Sequence, residues 1–489
     1  MPDFPTSLLY IDGTLRPAEG GRTFGVETPV SGSIVGQAAD ATATDVDAAI
    51  AAARRAFDTT DWSTNLSLRT AALRCWQNAM GEIADDWRDR IMAESGCTRL
   101  MSHMLHLDAP IEMMEWTIAF AEGFEWQRDI GIGEALGMRS RRLVMKEAAG
   151  VVGAITPWNV PIQINVAKCI SALAAGCTVV LKPAPDTPWA AAFMGEAAAK
   201  AGLPAGVFNV VTSGDKAGPG EQIVADPRVD VVSFTGSTAV GKRIMEAAAP
   251  TLKRVFLELG GKSANIVLDD AAFPSALEGG LGVCFHAGQG CALNTRLLVP
   301  RSRYEEAIAT LKAMFEAMPF GDPNSMEQIM GPVVSKAQYD RVLDYIAIGQ
   351  QEGARLVAGG KAALTETGGY YIQPTLFADV DNSMRIAQEE IFGPVLAVIP
   401  FEDDDDAVRI ANDSKYGLSG AVQSADPQRA LAVAKRIRSG TIAINKSAYF
   451  GADAPFGGYK QSGLGREMGH EGFEEYLQTK TVSLEVGSA

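Results

Sequence analysis

Cysteine, long apolar runs and positive charge are all scarce in this chain, and each shortage excludes a class of protein. Six cysteines in 489 residues (Cys75, Cys97, Cys169, Cys177, Cys284 and Cys291) match neither a disulfide framework nor a zinc-ligand spacing. A reducing compartment suits them, and for five of the six the default role is inert packing. The longest uncharged run near the middle, CISALAAGCTVVL at 169–181, has 13 residues, where a bilayer crossing needs about 20. Lys plus Arg number 43 against 59 Asp plus Glu, a formal charge of −16, which speaks against broad attraction to nucleic acid or anionic lipid. The opening MPDFPTSLLYIDGTLRPAEGG places acids and prolines where a secretory signal needs a basic segment and an apolar stretch. A soluble, cytoplasmic protein is expected. No run of Pro, Ser or Gly is long enough to act as a flexible linker, and no internal repeat stands out.

The length exceeds what one hydrophobic core usually supports, so two or more domains are expected. From about Ala41 to Met113 apolar residues recur at three- and four-residue spacing, as in DVDAAIAAARRAF, which reads as helix. Strand and helix patterns then alternate from SRRLVMKEAAGVVGAI through RVFLELGG at 254–261, which predicts parallel βαβ units in an open sheet covered on both faces. A second alternation, from TRLLVP at 295–300 to PVLAVIPF at 394–401, predicts another α/β domain. The boundary near Leu257 to Gly261 reads as a rigid crossover. The acidic run EDDDD at 402–406 cannot converge on one ion from a regular element and reads as a solvated loop before a helix, so no metal is expected.

Four stretches carry chemistry. In FHAGQGCALNTR at 285–296, Gly288 and Gly290 leave the backbone beside Cys291 bare enough for a ligand to approach. A lone cysteine reads as readily as a small hydrophobe. FTGSTAVGK at 234–242 follows a strand and opens a helix, so Gly236 permits a tight turn while Ser237 and the free helix N–H groups suit a phosphate. A plain capped turn is the alternative. ELGGKSANIVL at 258–268 puts the Glu258 carboxylate at a strand end beside paired glycines, where open α/β sheets bind ligands; an ordinary solvated glutamate fits too. In TPWNVP at 156–161, Pro157 and Pro161 fix the backbone around Asn159, whose amide then suits an oxyanion hole or its own turn.

Taken in order, TPWNVP, TVVLKP, FTGSTAVG, ELGGKS, GQGC, EEIFGPV and PFGGYKQSGLGRE resemble the motif series of the aldehyde dehydrogenase superfamily, from about residue 10 to 480. The resemblance implies two Rossmann-like open-sheet domains plus a small β oligomerisation element. It implies NAD(P) binding by residues 8–125 and 146–257, catalysis by 258–455, and oligomerisation through 126–145 and 473–489 into a homodimer or homotetramer. Cys291 matches the nucleophile that adds to the aldehyde to give a thiohemiacetal and, after hydride transfer, a thioester. Glu258, 33 positions upstream, matches the general base. Asn159 matches the side-chain half of the oxyanion hole, and Lys168 and Glu467 match a proton relay.

For the cofactor, Lys182 resembles the lysine that binds the adenine ribose, Ser237 with Gly236 the pyrophosphate contact, and Glu390 with Phe392 the nicotinamide-side pair. Ile155, Thr156, Pro157, Trp158, Leu259 and Gly260 fall at the family's other dinucleotide-lining positions. Many NAD-preferring members carry a glutamate three positions after that lysine; here it is Pro185, which leaves NADP open beside NAD. By position Val160, Ile164, Ala167, Phe450 and Phe456 line the entrance channel, an apolar set that suits medium aliphatic, terpenoid or aromatic aldehydes. It supports neither a cation–π box for betaine aldehyde nor a carboxylate-bearing semialdehyde. His103, His106 and Trp116 read as packing more readily than as channel residues. A CoA-acylating semialdehyde dehydrogenase is the rival within enzymes, and Glu258 argues against it; a non-catalytic nucleotide-binding relative is the rival outside them.

Overall fold

A computed structural model describes residues 4–486. The helix of 17 residues at Ala43–Thr59 starts with a capping box, Thr42 accepting from the Asp45 N–H while the Asp45 carboxylate accepts from the Thr42 N–H. The helix of 30 residues at Leu66–Ser95 ends on Gly96 in the left-handed region (φ 67°). These helices cover an eight-stranded sheet whose five central strands run parallel. In spatial order those five are Arg254–Glu258, Val231–Thr235, Val151–Ile155, Thr178–Lys182 and Phe208–Val210. The chain proceeds outward in one direction from Val151–Ile155 and in the other from Val231–Thr235. Strand order therefore reverses between those two, and the crevice at their carboxyl ends is where such sheets take ligands.

A second sheet of seven strands is parallel except at Arg355–Ala358, and runs from that edge through Val395–Phe401, Arg296–Pro300 and Ala264–Val267 to Ala443–Ile444. The chain leaves the first sheet at Glu258 and enters the second at Ala264, which is the short crossover expected from the sequence. It later returns, because Gly463–Leu464 adds an antiparallel edge to the first sheet beside Leu257 and Glu258. The expected hairpin and C-terminal strand form a separate antiparallel sheet of Gln127–Ala135, Met138–Ala148 and Leu477–Glu485. Residues 487–489 of that expectation lie outside the described residues. The acidic run caps and opens a helix at Asp404–Asn412, with Asp403 as its N-cap and Arg429 and Arg436 paired to Asp404 and Asp405. One expectation fails: Cys75 is exposed on its helix rather than packed, while Cys97, Cys169, Cys177 and Cys284 are buried.

Arg296, 1% exposed, ties the second sheet to the segment before it. Its guanidinium donates to the carbonyls of Lys262 (3.0 Å), Ile410 (3.0 Å) and Ala411 (2.9 Å) and to Asn382 Oδ1 (2.8 Å), and burial brings its pKa down to about 10. Arg296→Leu leaves four buried acceptors without donors, so chemical denaturation should show a loss of about 3–5 kcal/mol. An unchanged midpoint would mean that those carbonyls find other partners.

Candidate active site

The turns after the two switch-point strands build one wall of a cleft. Pro157, Trp158 and Asn159 follow Val151–Ile155, Gly236 and Ser237 follow Val231–Thr235, and all five line a space of about 260 Å³ with Leu259, Gly260, Cys291, Glu390 and Phe392. Ser237 caps the helix Thr238–Ala248 by accepting from the Val240 N–H (3.3 Å), which leaves the helix start facing the cleft. Thr156 and Thr235, both nearly buried, hold hydroxyls without protein partners there. A second space of about 380 Å³ continues from Ile155 and Lys182 over Gly220 and Val224 to Phe234 and Ile244. Lys182 is 3% exposed, and burial pulls its pKa down to about 8 against the opposing fields of Asp215 and Asp186. Orphaned hydroxyls, a helix N-terminus at the cleft and an apolar slot ending on a lysine together fit a dinucleotide.

The opposite wall comes from the second sheet. Cys291 lies on the loop before the strand Arg296–Pro300 and is half-buried. The loop needs its glycines: at Gly288 (φ 75°) a Cβ would stand 2.0 Å from the Gly393 carbonyl oxygen. Asn159 Nδ2 donates to the Gln289 carbonyl (2.9 Å), which fixes the amide plane and leaves one N–H to offer. Glu390 accepts from the Gly261 N–H (3.0 Å), and Phe392, at φ 61°, meets Trp158 edge-on at 5.4 Å. Gln338 and Arg341 hold that turn through the Phe392 (2.7 Å) and Glu390 (2.6 Å) carbonyls and also line the cleft. No motif pointed to either residue.

Glu258 sits behind the cleft, 1% exposed, with both carboxyl oxygens unpartnered. Burial raises its pKa well above the usual carboxylate range, aided by the Glu467 charge and opposed by Lys168 and Arg466. Burial likewise raises the Cys291 thiol, with Glu258, Glu390 and Glu467 adding to the effect. Nothing among the charges acting on the thiol favours its thiolate, so both groups are shifted toward their protonated forms. Beyond Glu258, Lys168 pairs with Glu467 and donates to Ser233 Oγ (3.1 Å), which the Tyr476 hydroxyl also contacts (3.1 Å). The expected relay pair is therefore in direct contact.

On the far side of Cys291, Ala167, Leu418, Phe456 and Met468 form an apolar cluster with Met113 and Tyr449 against it. Phe450, 37% exposed, meets Phe456 edge-on at 5.5 Å. Val160 and Ile164 precede Ala167 along the same helix start, half-exposed and outside that cluster. Met113 and Tyr449 carried no sequence signal, since each reads as one apolar residue among many. Trp116 stacks on Phe120 (5.0 Å) away from the cleft, and His103 turns to Asp108 (2.7 Å).

Comparison with known proteins decides the family. The model described as Aldehyde dehydrogenase family matches residues 16–482. The chain belongs to the aldehyde dehydrogenase family. It is 43% identical over 481 residues to a 3-succinoylsemialdehyde-pyridine dehydrogenase of a Pseudomonas species, covering 97% of this chain and 98% of that one. A putative aldehyde dehydrogenase of Bacillus subtilis (strain 168) is 39% identical over 482 residues, 98% and 95% of the two chains. Among solved structures, an aldehyde dehydrogenase of Mycobacterium tuberculosis complexed with NAD+ superposes with a TM-score of 0.93 at 42% identity, covering 99% of both chains. A betaine aldehyde dehydrogenase of Staphylococcus aureus, also with NAD+, gives 0.92 at 34%, covering 98% of this chain and 94% of that one.

Because the folded-state pKa of Glu258 is raised, its contribution to stability is full below about pH 4.3 and is lost as pH rises toward the folded value. Glu258→Gln should therefore melt at or above wild type at neutral pH, with the gap widening as pH rises. The same variant should lose about 10²- to 10⁴-fold in aldehyde turnover. A melting point below wild type across that range would refute the buried, uncompensated carboxyl.

Proposed function

We infer that the protein oxidises aldehydes to carboxylic acids with NAD as acceptor, through a covalent adduct on Cys291. The observation that carries this reading is the placement of Cys291 in the cleft with Asn159, Ser237 and Glu390, within reach of the field of a buried, unpartnered Glu258. Glu258 first gives up its proton toward the Lys168–Glu467 pair, then takes the thiol proton, and the sulfur adds to the aldehyde carbon. The free Asn159 N–H and the Cys291 main-chain N–H, which donates to no protein group among the described residues, hold the developing oxyanion. When bound, a nicotinamide dinucleotide supplies the oxidising power, accepting hydride and leaving a thioester on the sulfur. Glu258 passes the thiol proton on to solvent and, again a carboxylate, deprotonates a water whose oxygen adds to the thioester carbonyl; the C–S bond breaks, the acid leaves, and the departing thiolate takes that proton back from Glu258. The paired carboxylate of Glu467 and ammonium of Lys168 return Glu258 to its starting state.

The carbonyl-side wall supports an apolar aldehyde of medium size, aliphatic, terpenoid or aromatic. The relative named for a pyridine-bearing semialdehyde supports the aromatic option. On this reading residues 8–125 and 146–257 bind the dinucleotide and 258–455 carry catalysis. The sheet of Gln127–Ala135, Met138–Ala148 and Leu477–Glu485 serves oligomerisation, since Leu136, Met138 and Ile132 stand exposed on it. No helix among the described residues is long and apolar enough to cross a membrane, and the cytoplasm is the inferred location. Pro185 leaves NADP a second acceptor. Glu258 favours water over CoA as the acyl acceptor, because a retained base drives hydrolysis.

A panel of aldehydes assayed with NAD and NADP, with and without CoA, tests this. Reduced nicotinamide should form without CoA, and Cys291→Ala should abolish it while the melting curve stays cooperative. Strict CoA dependence would reject hydrolysis, and a Cys291→Ala variant of wild-type activity would reject the covalent route.

A further inference from the structure

Two buried imidazoles next to the nucleophile loop have no place in that chemistry. His106, 0% exposed, and His286, 6% exposed, meet edge-to-face with ring centroids 4.4 Å apart at 64°. None of their four ring nitrogens has a hydrogen-bond partner of good geometry, His286 making only a weak contact with the Asn159 backbone. Buried orphan N–H groups cost stability, so the contact of one ring edge with the other ring's face is the polar compensation within reach. We propose that this contact is a positioning element for the nucleophile loop, fixing the backbone that carries Cys291 against the Asn159 amide.

The loop geometry gives the contact its leverage. His286 (φ 47°, ψ 40°) and Ala287 (φ 51°, ψ 35°) both occupy the left-handed region, which side chains with a Cβ resist. Something must hold them there. The His286 carbonyl accepts from the Gln289 N–H (3.1 Å) and from Gln289 Nε2 (3.1 Å), and the Gln289 carbonyl in turn accepts from Asn159. Gln289 Oε1 accepts from the Val334 N–H (2.9 Å), which closes the loop against the segment that precedes the helix Lys336–Gln351. Rotation of His286 would therefore carry through one residue to Asn159 and two more to Cys291. On the other side, His106 ends the irregular turn Ser102–His106, in which Met104 adopts φ −108°, ψ −114°.

Charged side chains on the helices around the pair are engaged elsewhere. Arg88 binds Asp85, Asp108 and Ser102; Glu94 accepts from the Trp189 and Ala190 N–H groups; Lys168 pairs with Glu467. His286 is the one titratable group acting on His106, and besides burial only the Asn159 backbone acts on His286. Burial pushes the His286 pKa down to about 4 and that of His106 well below its usual value. The sign follows: the neutral pair is intact above about pH 6.5, and its stabilisation is lost as pH falls toward about 4.

The test rests on Cys291 being the reacting thiol, and alkylation by iodoacetamide reads that thiol without any aldehyde oxidation. Exposed Cys75 serves as the internal standard in the same mass spectrum. His106→Ala and His286→Ala should each slow Cys291 alkylation and kcat roughly tenfold to a hundredfold. The Cys75 rate, the aldehyde KM and NAD affinity by fluorescence should not move. The double variant should lose no more than either single one, and His106→Phe, which keeps a ring edge, should recover most of the rate. Additive losses, or His106→Phe no better than His106→Ala, would overturn the proposal. Should His106→Ala not fold, His106→Phe against His106→Leu decides, with equal rates overturning it. If Cys291→Ala keeps wild-type turnover, the covalent route itself fails, independently of the histidine variants.

Discussion

The site depends on a backbone without side chains at Gly260 and Gly261. Here the chain passes from the first sheet to the second, and both walls of the cleft close upon it. A Cβ on Gly260 would stand 2.3 Å from Glu390 Oε2, and one on Gly261 would stand 2.4 Å from the Cys291 carbonyl oxygen. Any larger residue would push the nucleophile loop or the Glu390 turn away from the crossover. The returning segment secures the same point, since Ser462 accepts from the Leu259 N–H with its carbonyl (2.8 Å) and donates its hydroxyl to the Gly260 carbonyl (2.7 Å). Two sheets, each with its own core, are thereby held in one register across six residues.

That closeness sets the electrostatics. Glu258, Glu390 and Glu467 all act on one thiol, and Lys168, the buried ammonium acting on Glu258, is already committed to Glu467. Ionising the thiol or Glu258 here would place an uncompensated charge in a low-dielectric interior, which shifts both toward their protonated forms. A protected nucleophile of this kind is poorly reactive toward adventitious electrophiles. Activation then becomes a matter of moving one proton from Glu258, whose oxygens touch no protein donor, outward to the paired Lys168 and Glu467.

Much of this was legible in the sequence because the responsible signals are local. Periodicity gave the alternating helices and strands, and the seven ordered motifs placed Cys291, Glu258, Asn159 and the dinucleotide turns before any coordinates. What stayed hidden depends on contacts between distant segments. Gln338 and Arg341 act only because their helix lies against the Glu390 turn, and Tyr449 and Met113 matter only because separate elements bring them to Cys291. The electrostatics stayed hidden for the same reason, since burial and three acids from separate segments dominate at the thiol. Cys75 misled in the opposite direction, since cysteine is usually buried and only the facing of its helix exposes it.

The two walls of the cleft also divide selectivity unequally. On the cofactor side, fixed N–H groups, orphaned hydroxyls and a buried lysine each demand a polar partner, so a ligand lacking one leaves a buried group unpaired. On the aldehyde side, Ala167, Phe456, Leu418 and Met468 offer surface without hydrogen-bonding groups, and the Tyr449 hydroxyl reaches only the Ala292 carbonyl at 3.4 Å. An apolar wall discriminates by about 1–3 kcal/mol per methylene and cannot sharply reject neighbours of similar size. The same cleft therefore sets polar demands on one wall and offers apolar surface without hydrogen-bonding groups on the other.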